Sequence, residues 1–141
     1  MEFLVIQSLN GLASASSLFL VASGLSIIFG VTRIVNFAHG SFYMLGAYIA
    51  VTIIAALGGQ DAFGFWTGVL LAACIVALIG AIVEMVILRR IYAAPELFQL
   101  LATFGVVLMI QDVTLAIWGP EDKLGPRAPG FRSFVMIMGS R

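Results

Sequence analysis

Long apolar stretches separated by short polar interruptions dominate the pattern along this chain. The first runs from about Leu9 to Val31, the second from about Gly40 to Leu57, the third from about Thr67 to Leu88 and the fourth from about Leu97 to Trp118. Each is close to the roughly 20 residues that an α-helix needs to cross a hydrocarbon layer about 30 Å thick, at a rise of about 1.5 Å per residue. The pattern predicts an all-α, polytopic integral membrane protein with four transmembrane helices. Serines at 14, 16, 17, 23 and 26 soften the first stretch, but their hydroxyls can bond back to helix carbonyls.

The interruptions differ in character. Between the first two spans lies a short polar group holding Arg33, Asn36, His39 and Ser41, followed by Gly40 and Gly46 within resumed apolar sequence. This layout fits a tight helical hairpin or one broken helix. The second and third spans are joined by GGQDAFGFW, with paired glycines as a breaker and Trp66 as an interfacial anchor. The third ends at Arg89-Arg90, and Pro95 marks a break or helix start. Beyond Trp118 the composition changes. Residues 119–134 hold Pro120, Pro126, Pro129 and several charges, which reads as a turn-rich outer loop. After it FVMIM, at 134–138, begins a fifth apolar run too short to span.

Composition supports the membrane reading. Of 141 residues, 62% are hydrophobic and 10% charged, against roughly 45–50% and 25% in soluble domains. Mean hydropathy is +1.13. Formal net charge is zero, which offers no basic surface for nucleic acid. Cys74 is the only cysteine and sits in an apolar run, so it is expected to be a small buried apolar residue. The N-terminal MEFLVIQSLNGL lacks the positive region of a secretory signal, so the first span is expected to be retained.

Charge also orients the chain. Arg33 follows span one, and Arg89 and Arg90 follow span three, so they share one side. The positive-inside rule places that side in the cytoplasm and the N-terminus outside. The opposite side takes the loop with Asp61 and the mixed loop with Lys123, Arg127 and Arg132.

Helix association in lipid relies on close packing of small residues. Three stripes are candidates to face inward: Ala22, Ser26 and Gly30; Ala73, Ala77 and Ala81, with Gly80 and Glu84 adjoining; and Ala102, Gly105, Met109, Asp112 and Ala116. Generic transmembrane packing explains all three.

Chemistry-bearing residues are few. Ionisable groups within a membrane are costly, about 2.5–3.5 kcal/mol at a helix centre on insertion scales. Glu84 lies near the end of span three and is placed to pair with Arg89 or Arg33. A structural ion pair outweighs a transport role for it. Asp112, beside Gln111, lies deeper in span four, where a polar contact between helices outweighs a proton relay. His39 is the only histidine and has no Cys, Asp or Glu at ligand spacing, so no metal site is read here. Asn36 is suited to cap the following helix, and Gly40 to allow close backbone approach. The serine, metallohydrolase and nucleotide-binding motifs are all missing. The chain is therefore read as a non-enzyme, with no catalytic residue and no cofactor of its own.

The stretch GLSIIFGVTRIVNFAHGSFYMLGAY, residues 24–48, resembles the N-terminal signature of LivH-type permeases of branched-chain amino-acid ABC importers. Its core is Val35 to Gly40 followed by Tyr43 to Tyr48. LLATFGVVLMIQDVTLAIWGPED, from Leu100 to Asp122, is similar to the fourth-span region of the same family. Glu84, Arg89 and Pro95 match a looser family pattern, with Ala94 where an Arg often precedes the proline. The resemblance implies a bacterial inner-membrane permease subunit that works with a second permease subunit, two cytoplasmic ATP-binding subunits and a periplasmic solute-binding protein. ATP would be used by those partners. The solute would be a branched-chain amino acid or a related small polar molecule. A complete member would be longer, so this chain resembles an N-terminal portion and is not expected to transport alone.

Asn36, His39, Gly40, Ser41 and Gly46 are the expected contributors to a translocation path, with Gly40 and Gly46 permitting close helix approach. An ion-coupled carrier using Glu84 and Asp112 is the alternative, and a non-transporting membrane scaffold is a third reading.

Overall fold

In lipid each backbone amide must find its partner inside its own segment, so apolar spans of this length fold as helices. The structure, a computed structural model, describes residues 2–58, 61–121, 123–125 and 128–129. Four helices are long and apolar enough to cross a membrane. Helix α1 spans Glu2–Thr32 and α2 spans Ala38–Ala56. Helix α3 is continuous over Ala62–Ile91, with a π-helical turn at Glu84–Leu88. Helix α4 spans Glu96–Trp118. The fifth apolar run, at 134–138, lies outside the described residues, as do Arg127 and Arg132 in the 119–134 loop.

Two helices exceed their expected spans. Helix α1 starts at Glu2 rather than near Leu9, because nothing between Phe3 and Leu9 breaks a helix and hydropathy limits the membrane crossing, not the helix. Helix α3 starts at Ala62, after an extended Asp61. Trp66 therefore stands within α3, exposed, with the edge of its ring set against Phe65 at 5.5 Å.

Helix α2 is the hub. It packs chiefly against α3 and then against α4, while α1 lies against α2 and α4 also touches the π-helical end of α3. The core joins Ala38 and Leu45 of α2 to Val106 and Ile110 of α4. At the α2–α3 crossing a Cβ added to Gly68 would stand 2.5 Å from Ile54 Cγ1 and 3.3 Å from the Ile54 backbone. Only a residue without a side chain lets the helices meet this closely.

The expected small-residue stripes do not form these contacts. Ala22, Ser26 and Gly30 are exposed, as are Ala73, Ala77 and Ala81. Cys74, expected to be buried, is exposed as well. On α4 Gly105, Met109, Asp112 and Ala116 are exposed and Ala102 is half-buried. The buried residues are instead Gly68 and Ala72 on α3, and Thr103, Val106, Ile110 and Thr114 on α4. Each threonine satisfies its hydroxyl locally: Thr103 donates to the Leu100 carbonyl at 3.0 Å, and Thr114 to the Ile110 carbonyl at 2.7 Å. A threonine with its hydroxyl so engaged packs like a small apolar residue. Serine hydroxyls of α1 bond back in the same way, as Ser26 does to the Ala22 carbonyl at 2.9 Å.

Candidate functional site

The polar connection between α1 and α2 folds as an antiparallel hairpin. Helix α1 ends where Arg33 adopts the left-handed conformation, φ 56°, and its N–H donates to the Phe29 carbonyl at 2.8 Å. A side chain there costs roughly 1–2 kcal/mol relative to the right-handed form. The hydroxyl of Thr32 supports the turn by donating to the Ile28 carbonyl at 2.9 Å and accepting from the Ile34 N–H at 3.3 Å. Asn36 is buried, and its Oδ1 accepts from the Ala38 N–H at 3.0 Å. This is the capping role expected from the sequence, satisfying one of the free amides that open α2.

His39, in the first turn of α2, reaches across to α1. A Cβ added to Gly24 would lie 2.7 Å from His39 Nε2, so the imidazole occupies the notch that this glycine leaves. His39 also lines two cavities. One, of about 590 Å³, is an apolar groove between α1 and α3 with Gly46 and Ala72 in its wall. The other, of about 300 Å³, is a mostly apolar pocket walled by Ile28, Ile34, Phe42 and Leu88 and reached by the polar residues Thr32, Asn36, Glu84 and Tyr92.

Glu84 enters this pocket from the π-helical turn. The Tyr92 hydroxyl donates to Glu84 Oε1 at 3.0 Å, and Arg89 Nε stands 4.0 Å from the same oxygen. Of the two basic partners considered for Glu84, the fold thus selects Arg89. A π turn inserts one extra residue into the helix. Tyr92 consequently sits two full turns beyond Glu84, although eight residues separate them. Desolvation, and then the hydrogen bond to Glu84, raise the Tyr92 phenol above its ordinary range. Gln99 fixes the following turn by donating to the carbonyls of Tyr92 at 3.2 Å and Ala94 at 2.9 Å.

The five residues expected along a path are therefore divided. Asn36 and His39 share the smaller pocket, and Gly46 lines the larger groove, where an added Cβ would meet Val76 Cγ2 at an ordinary 3.5 Å. Ser41 is buried on the same stripe of α2 as Ala38 and Leu45, which pack on α4. Gly40 is exposed, and a Cβ added there would meet nothing within 4 Å. Its freedom from a side chain brings no described helix closer, contrary to expectation.

Glu84 and Asp112 are also apart. Asp112 is exposed on α4 and has no hydrogen bond or ion pair among the described residues. At about 1.5 Å per residue it stands about 24 Å along α4 from Glu96, whereas Glu84 stands about 10 Å from Ile91. Thr32 and Tyr92 are pocket residues that sequence reasoning did not select. The π turn that aligns Tyr92 with Glu84 leaves no mark in the hydrophobic pattern.

The junction that builds this pocket lies within the stretch by which known proteins recognise the chain. The family described as "Branched-chain amino acid transport system / permease component" matches residues 7–138. The chain belongs to this family. It is thus a multi-pass membrane protein of a transport-permease family. Among similar proteins, the high-affinity branched-chain amino acid transport system permease protein LivH of Escherichia coli is 33% identical over 125 residues, covering 82% of this chain and 39% of LivH. LivH of Salmonella typhimurium is 30% identical over 120 residues, with the same coverage of each chain. BraD of Pseudomonas aeruginosa, described in the same terms, is 29% identical over 124 residues, covering 85% of this chain and 40% of BraD. The chain thus spans about two fifths of the length of these relatives. No solved structure matches.

Proposed function

We propose that this chain forms part of the permease subunit of an ABC importer for branched-chain amino acids or a related small polar solute, in a bacterial inner membrane. Its role is physical rather than covalent: its helices line part of a path that opens alternately to either side. Two cytoplasmic ATP-binding subunits supply the energy, a second permease subunit completes the path, and a periplasmic binding protein delivers the solute. The observation that carries this reading is the family match along residues 7–138. The smaller pocket is consistent with it, because Asn36 and His39 both line it at a helix junction. Arg33, Arg89 and Arg90 gather at the end of the bundle that faces the cytoplasm in this reading.

The test is uptake of radiolabelled leucine by cells carrying the chain with its transporter partners. Uptake should stop when the ATP-binding subunits are deleted, and those subunits should co-purify with the permease. Uptake that survives their loss would instead identify an ion-coupled carrier. Replacing both Asn36 and His39 with alanine should reduce uptake at normal expression. Unchanged uptake would remove them from the path.

A further inference from the structure

The smaller pocket, of about 300 Å³, combines a single carboxylate with an aliphatic wall. Among the described residues, Glu84 is the only acidic one in its lining, and neither Lys nor Arg lines it. Arg89 approaches Glu84 from outside, with its side chain 72% exposed and its Nε 4.0 Å away. That geometry compensates the carboxylate only weakly, since an exposed pair contributes little. Tyr92 holds Oε1, and Oε2 has no hydrogen-bond partner among the described residues. The carboxylate is therefore oriented, one oxygen engaged and the other free.

The remaining lining defines what would suit that oxygen. Ile28, Ile34 and Leu88 give the pocket a branched aliphatic wall. Asn36 commits its Oδ1 to the Ala38 N–H, which leaves its amide Nδ2 as a donor. A Cβ added at Gly80, another lining residue, would meet nothing within 4 Å, so the cavity extends over this glycine. An apolar pocket with a few convergent polar groups is the usual form of a small-molecule site. Here its charge selects a cation and its wall an aliphatic body.

We propose that this pocket is a binding subsite for the ammonium group of a small aliphatic amine or amino acid, with Glu84 as the counter-ion and Tyr92 as the residue that positions the Glu84 carboxylate. The choice of an amino acid as ligand rests on the permease reading; the selection of an ammonium group rests on the pocket alone. Asn36 Nδ2 offers a donor to the carboxylate of an amino acid held there.

The experiment is binding of tritiated leucine to the whole chain in lipid nanodiscs, with two unlabelled competitors. Isopentylamine keeps the ammonium group and lacks the carboxylate; isocaproate keeps the carboxylate and lacks the ammonium group. Isopentylamine should displace leucine and isocaproate should not. Glu84→Gln should weaken leucine binding by roughly tenfold or more, the scale of a lost charge-assisted contact. Tyr92→Phe should weaken binding while preserving the preference for isopentylamine, as befits a positioning residue. Gly80→Val should block the pocket by volume, and Asp112→Asn should leave binding unchanged. Equal displacement by both competitors, unaltered binding by Glu84→Gln, or no binding by the unmodified chain would each overturn the proposal. If Glu84→Gln fails to fold, the competitor pair on the unmodified chain decides. Ammonium-selective binding here, combined with no ATP-dependent leucine uptake in cells, would retain the subsite and sink the importer reading.

Discussion

The indole N–H of Trp118 donates to Oγ1 of Thr52 at 2.7 Å, tying the end of α4 to α2 across 66 residues of chain. Thr52 passes the bond on, donating its own hydroxyl to the Tyr48 carbonyl at 2.8 Å. Trp118 also stacks obliquely near Tyr48, with ring centroids 5.5 Å apart. Trp118→Phe keeps a smaller aromatic ring and removes the donor. That change and Thr52→Val should each lower stability by about 0.5–1.5 kcal/mol. The double variant should cost little more than either alone. Denaturation of the chain in detergent micelles checks this, since additive losses would mean that the two groups do not interact.

The α2–α3 crossing makes a contrast between two glycines. Gly68→Ala forces a methyl to within 2.5 Å of Ile54 Cγ1, with the Ile54 backbone close behind. It should destabilise by about 1–3 kcal/mol, the usual scale of overpacking. Gly46→Ala meets Val76 at an ordinary contact distance and should be nearly neutral. The same micelle denaturation, run on both variants, separates them; equal effects would contradict the crossing geometry.

A compensating pair follows from the notch at Gly24. Gly24→Ala alone should push the His39 ring out of place, because the new methyl would lie 2.7 Å from Nε2. Combined with His39→Ala it should be tolerated, since the obstructing ring is then gone. Thermal unfolding of the two single variants and the double one reads this directly. A double variant at least as unstable as the sum of its parts would count against the contact.

Tyr92 should titrate late. Its phenol is raised above the ordinary value of 10.0, first by desolvation and then by its bond to Glu84. The folded state therefore holds the proton more tightly than the unfolded one. The stabilisation is complete below the unfolded pKa and is lost as pH rises through the higher, folded one. Phenolate absorbance of the unmodified chain minus that of Tyr92→Phe should show a midpoint above 10.0. A midpoint at or below that value would contradict the Glu84–Tyr92 bond.

Helices α2 and α4 begin and end close to where hydropathy changes sharply, near Asn36–Gly40, Leu57, Pro95 and Trp118. Helices α1 and α3 continue beyond their apolar cores. Packing faces were harder to read. Small residues occur on both sides of α3, and lipid does not penalise an exposed Ala73 as water penalises an exposed leucine. The stripe that is buried on α4 contains Thr103 and Thr114, whose local hydroxyl bonds conceal their polarity. Within the site, Asn36 and His39 stood out as polar residues in apolar surroundings. Tyr92 did not, because its approach to Glu84 depends on the inserted residue of a π turn.

By itself the sequence determined that the chain enters a membrane, that it carries four apolar helical stretches, and to which family it belongs. These follow from local cost: each buried amide must bond within its own helix, and an apolar run of sufficient length meets that need wherever it occurs. The tertiary structure alone decided which helix faces meet, that Gly68 lets α3 pack closely on Ile54 of α2, and that Thr32, Asn36, His39, Glu84 and Tyr92 share one pocket. Hydrophobicity separates lipid from water, but it does not distinguish one apolar helix face from another. Those choices rest on shape and on hydrogen bonds between residues far apart in the chain.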